Sequence, residues 1–211
     1  MKKQYPAPPN LPKTFKTDSY FEDEAILEGV HVFEEDDSYL SFENLVLRHS
    51  ILEKITMQRG KLTRFEAGNV VFKNCDLSNL EWIGGSFHQV FFDNCKLTGC
   101  NFAESYLRDC RFKDCVINFG SFSGTNLKNV AFENCQMTDS EFFEVTWKHL
   151  FLDRNNLDNS NWMRTNLFDL DLTSNQFSKI AFSMEQLRGV KVNSFQALII
   201  AAGLGLNIAE E

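Results

Sequence analysis

The sequence repeats one chemical pattern every five residues over most of its length. From Phe42 to Val192, thirty-one consecutive fifth positions carry apolar side chains, and Ala67 is the only small one. All three tryptophans of the chain fall in this register. An α-helix would repeat its apolar face every ~3.6 residues and a β-strand every ~2. The pattern therefore predicts a chain that turns a corner every five residues and sends one large side chain inward each time.

A second period, of twenty residues, indicates how many sides make up one coil. Four similar segments recur at this spacing: KNCDL (73–77), DNCKL (93–97), KDCVI (113–117) and ENCQM (133–137). Twenty residues divide into four sides of five. We therefore predict an all-β fold, a right-handed quadrilateral parallel β-helix of nearly eight coils, stacked at ~4.8 Å into a rod of roughly 35–40 Å. The residues predicted for its structural core are Trp82, Phe102, Phe122, Phe142 and Trp162.

The register predicts four segments along the chain. Residues 1–24 contain all four prolines and are expected to form an extended arm. Residues 25–41 are expected to form an irregular first coil with an acidic loop at 34–37. The regular β-helix then covers residues 42–192, and residues 193–211 form a C-terminal helix and tail.

The C-terminal helix is predicted from Phe195 to about Ala202, because Asn193 or Ser194 can cap its start and glycines follow its end. It has almost no polar face, so we expect it to be buried. Packing against the same helix of a second chain would bury it and close the open coil, which predicts a two-fold homodimer. The alternative is a helix that folds back on its own coil. The predicted dimer contacts are Phe195, Leu198, Ile199 and Ala202.

The repeat resembles that of the pentapeptide repeat proteins, whose consensus is a small residue, Asp or Asn, Leu or Phe, and two polar positions. Segments that match it are CNFAE (100–104), TNLKN (125–129), SNWMR (160–164) and TNLFD (165–169). The C-terminal stretch LRGVKV (187–192), followed by FQA (195–197), is similar to the C-terminal signature of the Qnr quinolone-resistance proteins. Matches to their Gram-positive, enterococcal-type branch are DEAILE (23–28), GSFHQV (85–90) and SEFFEVTWK (140–148).

This resemblance implies a function that the periodicity alone does not. Qnr proteins are dimers that bind DNA gyrase and topoisomerase IV as an acidic rod imitating duplex DNA, and so protect these enzymes from quinolones. On that basis the expected topoisomerase contacts are Glu81, Glu104, Glu141 and Glu144. The alternative is a non-catalytic scaffold for a different protein partner.

The charge of the chain argues against direct binding to nucleic acid. It carries 29 acidic and 21 basic residues, a net charge of −8, whereas binding to phosphates requires an excess of basic groups. Most of the net charge lies at the two ends, because residues 42–192 carry 18 acidic and 17 basic groups. Duplex DNA carries about one charge per 1.7 Å of axis. Shape and local acidic clusters would therefore have to supply most of any imitation of DNA.

The candidate metal ligands do not predict a metal or cofactor site. All six cysteines occupy the small inward position of the repeat. A ladder of parallel thiols cannot surround a tetrahedral zinc ion, and it is poorly oriented for disulfides. His49, His88 and His149 are two and three coils apart, ~10 Å or more, which is too far for one site.

Two further classes, enzymes and membrane proteins, are also disfavoured. Some β-helices are carbohydrate lyases or hydrolases, but Glu141 and Glu144 have no converging basic partner in the repeat, and we expect no catalysis. The longest apolar run, 197–202, is far shorter than the ~20 residues of a membrane span. No apolar signal segment follows the first lysines, so a cytoplasmic protein is expected.

Overall fold

The computed structural model describes residues 4–17 and 20–209. They form a parallel β-solenoid of about eight turns with one short helix, which confirms the predicted fold class. Parts of the predicted arm and tail, residues 1–3, 18–19 and 210–211, lie outside the described residues. In chain order the elements are β1 (Ile26–Glu28), β2 (His31–Phe33), β3 (Ser41–Glu43), β4 (Val46–Glu53), β5 (Lys61–Thr63), β6 (Glu66–Lys73), β7 (Ser86–Asp93), β8 (Tyr106–Lys113), β9 (Asn126–Glu133), β10 (Thr146–Asp153), β11 (Ser160–Trp162), β12 (Ile180–Phe182), a 3-10 turn (Met184–Gln186) and α1 (Ser194–Gly203).

The strands of the main sheet stack in parallel with a constant offset of twenty residues. Leu47 lies opposite Ala67, and Ala67 lies opposite Phe87. The same offset holds between β9 and β10, where Leu127 lies opposite Trp147. Because side chains alternate along a strand, this offset keeps each inward row on the inner side of the sheet. The coil length predicted from the sequence is therefore the coil length of the structure.

Each corner of the coil is a single residue in the left-handed backbone conformation. Positive φ angles recur at every fifth position from Glu24 (60°) to Asp169 (63°), and only four of these positions are glycines. Each L-residue in this conformation costs ~1–2 kcal/mol. Hydrogen bonds to the next coil hold the corners in place, as where the backbone N–H of Asn74 donates to the carbonyl of Asp93 (3.0 Å). Four such corners per twenty residues give the solenoid its four sides.

Two stacks of aromatic rings run through the core along the rod. In the first, ring centroids are 4.9, 4.7 and 4.7 Å apart, in the order Phe72, Phe92, Phe112 and Phe132. In the second they are 5.0, 4.9 and 4.1 Å apart, in the order Phe102, Phe122, Phe142 and Trp162. The stacks meet edge to face, as between Phe102 and Phe112, whose planes are 90° apart. All five residues predicted for the core are at most 1% exposed.

The small inward positions tie successive coils together by hydrogen bonds. At several of these positions the side chain reaches a backbone carbonyl twenty-three residues earlier, whereas Thr125, Ser140 and Ser160 bond the carbonyl three residues earlier. Ser105 Oγ donates to the carbonyl of Trp82 (2.8 Å), and Asn155 Nδ2 donates to that of Phe132 (2.9 Å). Buried polar groups are costly without a partner, so these bonds allow serine, threonine and asparagine to replace cysteine inside the rod.

The acidic segment before the regular repeat keeps the register of the coil. Asp36 forms a parallel bridge with Thr56, and the backbone N–H of Asp37 donates to the carbonyl of Thr56 (2.8 Å). Asp37 therefore occupies a position where later coils place Met57 and Leu77, and it is half-buried. Partial burial, together with Glu35 and Asp36, raises the pKa of its carboxyl group.

The helix α1 closes the C-terminal end of the solenoid. Asn193 caps it by accepting from the N–H of Gln196, and the Gln196 side chain returns a bond to the Asn193 backbone. Gln196 Nε2 also donates to the carbonyls of Leu172 (2.7 Å) and Asn175 (2.8 Å), where it is buried under the helix. Since no further coil follows, this side chain satisfies carbonyls that the next coil would otherwise have bonded.

Replacing Phe122 by alanine should lower the free energy of unfolding by ~3–5 kcal/mol, because it leaves a cavity between two stacked rings. Phe119→Ala, three residues earlier, should cost less than about 1 kcal/mol, since that ring is 63% exposed. Urea denaturation of the two variants measures the difference. Equal losses would contradict the assignment of Phe122 to the stacked core.

Asp37→Asn should make the unfolding free energy less dependent on pH. The raised pKa of Asp37 means that the native state binds this proton more tightly than the unfolded chain. Stability should therefore fall as the pH rises from the ordinary value of 3.8 through the raised native value, and the substitution removes that fall.

Asp36→Asn is the matched control, measured by urea denaturation across the same pH series. Hydrogen bonds from Ser38 lower the pKa of Asp36, so its ionised form favours the native state. Its substitution should lower stability at neutral pH, where Asp37→Asn should raise it. The same sign for both variants would contradict the half-buried position of Asp37.

Candidate protein-docking surface

The four predicted topoisomerase contacts lie on one side of the rod. We name this side the Phe42 face, after the first of its inward residues: Phe42, Leu62, Trp82, Phe102, Phe122, Phe142 and Trp162. Glu81 and Glu141 each precede an inward residue, whereas Glu104 and Glu144 are corners with φ of 59° and 55°. All four carboxylates are exposed to solvent.

These carboxylates form an acidic run without an intervening cation. Glu81, Asn101, Ser121, Glu141 and Asn161 bridge one another from coil to coil. Over the four coils from 81 to 144, the outward positions of the Phe42 face hold four carboxylates and no lysine or arginine. This is about one charge per ~4.8 Å of rod. A single DNA strand carries about one per 3.4 Å, so the local charge approaches that of one strand, although the whole solenoid is almost neutral.

The members of the acidic run differ in their partners. Glu144 forms an ion pair with Arg164 (2.8 Å), and Glu141 accepts a hydrogen bond from Asn161 Nδ2 (2.7 Å). Within residues 4–17 and 20–209, the side chains of Glu81 and Glu104 have no hydrogen bond or ion pair. Surface ion pairs contribute little to stability, so all four carboxylates are available to a charged partner at small cost.

Apolar side chains and glycine corners flank the acidic run. Ile83 is 42% exposed and Met163 is 43% exposed, at opposite ends of the run. Gly84 and Gly124 occupy corners with φ of 70° and 67°, next to Glu104 in the same column, so little side-chain volume shields that carboxylate. This face therefore offers a protein partner both charged and apolar contacts.

A basic column on the neighbouring side was not predicted from the sequence. Arg108 lies directly opposite Lys128, and Lys128 lies opposite Lys148, all of them exposed. Like charges directly opposite one another in a sheet are destabilising, so this column is not explained by folding. The net charge of the whole side does not reveal this column, because Glu66, Asp109 and Asp169 on the same side offset it. The signal is a basic residue at one outward position every twenty residues.

A third side shows that opposite charges can alternate in the same geometry. Lys73 Nζ contacts Glu53 Oε1 at 2.9 Å, which lowers the pKa of Glu53. The charges of the outward residues in this column alternate from Glu53 to Glu133, and one further acid follows. The residues are Glu53, Lys73, Asp93, Lys113, Glu133 and Asp153. The acidic run and the basic column are therefore departures from a pairing that this chain uses elsewhere.

An open groove of about 920 Å³ joins these two charged surfaces near the C-terminal end. Its lining includes Glu144, Trp147, Lys148, Arg164, Phe168 and Lys191. Trp147 is the one tryptophan that is not fully buried, because its indole reaches outward to donate from Nε1 to the carbonyl of Asn166 (2.6 Å). Phe168 is 55% exposed. The groove offers a partner both charge and aromatic surface.

The predicted dimer residues lie on α1 but do not all face outward. Phe195 is 69% exposed and Leu198 is 50% exposed. Ala202 is also exposed, whereas Ile199 is half-buried against the core of its own chain. One side of the helix thus packs on the solenoid, and the opposite side presents Phe195 and Leu198 to solvent.

The cysteines are buried, and each thiol donates to backbone. In the ladder of Cys75, Cys95, Cys115 and Cys135, each Sγ reaches the carbonyl twenty-three residues earlier, at 3.3 to 3.5 Å. Burial raises the pKa of Cys100 and of Cys110 to about 12, so both thiols are neutral and unreactive at physiological pH. In the described part of the chain, no three His, Cys, Asp or Glu side chains converge as possible metal ligands.

The central part of the chain matches a known family of repeats. Residues 85–162 match the family model described as "Pentapeptide repeat region". This part of the chain is a pentapeptide repeat region. The left-handed corners extend the same five-residue geometry well beyond the matched residues, from Glu24 to Asp169. Among the residues described, no helix is both long and apolar enough to cross a bilayer.

Solved structures similar to this protein include QnrB1, a plasmid-mediated fluoroquinolone resistance protein. A trypsin-treated variant of QnrB1 is 16% identical, with 90% of this chain and 97% of that chain covered and a TM-score of 0.33. The full-length form is 14% identical, with 86% and 100% covered and a TM-score of 0.34. HetL, from the cyanobacterium Nostoc sp. strain PCC 7120, is 10% identical, with 80% and 87% covered and a TM-score of 0.22. None of the curated proteins matches this chain.

Proposed function

We propose that this protein binds a bacterial type II topoisomerase, DNA gyrase or topoisomerase IV, and protects it from quinolones without catalysing a reaction itself. The sequence support is the C-terminal stretch 187–197, which resembles the Qnr signature. The observation that carries the proposal is the acidic run on the Phe42 face, where four carboxylates follow one another without a cation. A protein surface that binds DNA is positively charged, so it would attract this face.

The proposed contact combines steering by charge with apolar docking. Glu81 and Glu104 have no partner within the described residues and would meet basic groups of the enzyme first. Ile83 and Met163 would then be buried at the two ends of the contact. Because charge complementarity mainly accelerates association, binding should weaken as salt rises. Because DNA gyrase and topoisomerase IV act on DNA inside the cell, we also propose that the protein is cytoplasmic.

Two chains would form the active rod through their C-terminal helices. The exposed Phe195 and Leu198 would pack against the same residues of a second chain around a two-fold axis, with Ala202 allowing close approach. Ile199 would support this contact from below, since it already packs on its own core. The dimer would double the length of acidic surface offered to the enzyme.

Neutralising the acidic run should weaken protection of gyrase. The triple variant Glu81→Gln, Glu104→Gln and Glu141→Gln should require at least tenfold more protein to restore supercoiling in the presence of ciprofloxacin. The matched control is Glu28→Gln, Glu34→Gln and Glu66→Gln, which removes three exposed carboxylates from other parts of the rod. The control should protect as the wild type does, because it changes the net charge by the same amount but leaves the acidic run intact.

The supercoiling assay with the wild-type protein distinguishes a topoisomerase-binding protein from a scaffold for a different protein partner. Neither rescue nor inhibition of supercoiling at any concentration would eliminate the topoisomerase proposal and leave the scaffold for a different protein partner. Equal loss in both triple variants would instead remove the Phe42 face as the contact and attribute the effect to net charge.

Charging the outer side of α1 should separate the dimer. Phe195→Glu with Leu198→Glu should sediment as a monomer at about 10 µM, where the wild type sediments as a dimer, because two carboxylates of each chain would be buried against those of the other. Tyr106→Glu, at a 64% exposed aromatic residue of β8, is the control and should remain dimeric. A wild-type monomer at this concentration would overturn the proposed interface.

A further inference from the structure

The N-terminal arm lies along one edge of the rod, in a groove whose side chains hydrogen-bond to the backbone of the arm. The edge is formed by stacked corner residues, named here the corner column: His49, Asn69, Gln89, Asp109, Asn129 and His149. Asn69 Oδ1 accepts from the N–H of Asn10 (2.8 Å), and Asp109 Oδ1 accepts from the N–H of Ala7 (3.2 Å). Gln89 Nε2 donates to the carbonyl of Pro8 (3.0 Å), and the carbonyl of Asn10 lies 2.8 Å from His49 Nδ1. The arm thus crosses several coils in only a few residues.

A strip of apolar residues forms the other wall of this groove. Outward positions of a solenoid are normally polar, yet this column is largely apolar and half-buried or buried: Ile51, Val71, Phe91, Arg111, Ala131 and Phe151. The Tyr5 ring lies 5.4 Å from that of Phe151, and the Arg111 guanidinium lies 5.9 Å from the Tyr5 ring. The Tyr5 hydroxyl donates to Glu133. Pro6 is buried in the same groove.

Asp109 is the polar anchor of the groove. Asp109 is 6% exposed, and its carboxylate accepts from Asn129 Nδ2 (3.0 Å) and from the arm and forms an ion pair with Arg108 Nε (3.4 Å). Asn129 Oδ1 lies 2.9 Å from His149 Nδ1, so three members of the corner column share one hydrogen-bond chain. A buried carboxylate requires several donors, and the N–H of Ala7 is one of them. The arm therefore supplies one of three donors to this carboxylate, beside Asn129 and Arg108.

We propose that this groove is a binding site for extended, proline-containing peptides and that residues 5–10 are its occupant within the chain. Four of the contacts involve backbone N–H or carbonyl groups, which any extended peptide offers. Selectivity would come from the aromatic ring of Tyr5 and from the buried Pro6. Prolines hold a peptide in the extended polyproline conformation before binding, which reduces the entropy lost on docking. A partner segment with an aromatic residue followed by prolines fits the same contacts.

The contacts of the arm would allow a partner peptide to displace it from the groove. Its contacts are hydrogen bonds to the corner column and one aromatic cluster, and no residue of 5–10 enters the stacked core. Its attachment to the first coil gives it a high effective concentration at the groove, of the order of millimolar for a short linker. A partner peptide would therefore bind weakly while the arm is intact and more tightly once the arm is weakened. This proposal is independent of topoisomerase binding.

The test uses the full chain and a fluorescent peptide of residues 4–12, measured by fluorescence anisotropy. Tyr5→Ser with Pro6→Gly weakens the arm without changing the groove, and this arm variant should bind the peptide at least tenfold more tightly than the wild type. Adding Asp109→Ala to the arm variant should weaken binding at least tenfold. A peptide with its tyrosine replaced by serine should also bind more weakly.

Asp114→Ala in the arm variant is the matched control. Asp114 is also a corner aspartate with a left-handed backbone (φ 55°, against 54° at Asp109), and it also accepts from an asparagine twenty residues later, Asn134 (2.7 Å). It lies outside the groove, so the control should leave peptide binding unchanged. No saturable binding up to about 1 mM peptide, equal effects of the two aspartates, or equal binding by the wild type would overturn the proposal. Uptake of a second chain's arm in place of the peptide, seen by sedimentation, would also overturn it in favour of arm exchange.

Discussion

The structure depends on a corner residue that adopts the left-handed conformation every five residues. This conformation costs an L-residue ~1–2 kcal/mol, and the chain accepts it at bulky residues such as Phe119 as well as at asparagine. What makes it tolerable is repetition, because most corner amides bond a carbonyl of the next coil and the inward aromatic rings stack from coil to coil. No coil is stable alone, and neighbouring coils supply the partners.

The interior could be predicted from the sequence because its chemistry is periodic. Every fifth residue must fit between two similar residues of neighbouring coils, so the rows of Phe102 and Leu107 are visible in the sequence alone. The exceptions occur where other contacts decide. Trp147 turns partly outward because its indole N–H finds the carbonyl of Asn166, and Asp37 keeps the register of an apolar row without being apolar.

The surface could be predicted only in part, because outward side chains need not repeat. The arm was expected from its prolines, but its course was not, since it depends on polar corners such as Asn69 and Asp109 and on outward apolar residues such as Phe91. The basic column of Arg108, Lys128 and Lys148 also required the twenty-residue register. Sorting outward residues by column, rather than summing charge by side, would have found both surfaces.

A core filled by stacked side chains leaves the sides and edges of the rod to carry function, and the geometry keeps two of them apart. The acidic run lies on the Phe42 face, which is bounded by the corner columns that contain Glu104 and Phe119. The arm covers a different edge, the corner column that contains Asp109. This column is one side away from the column of Glu104 and two sides away from the column of Phe119. An extended peptide in the groove and an enzyme on the acidic run would therefore occupy different surfaces. Because the coils are stacked rigidly, binding at one surface need not disturb the other.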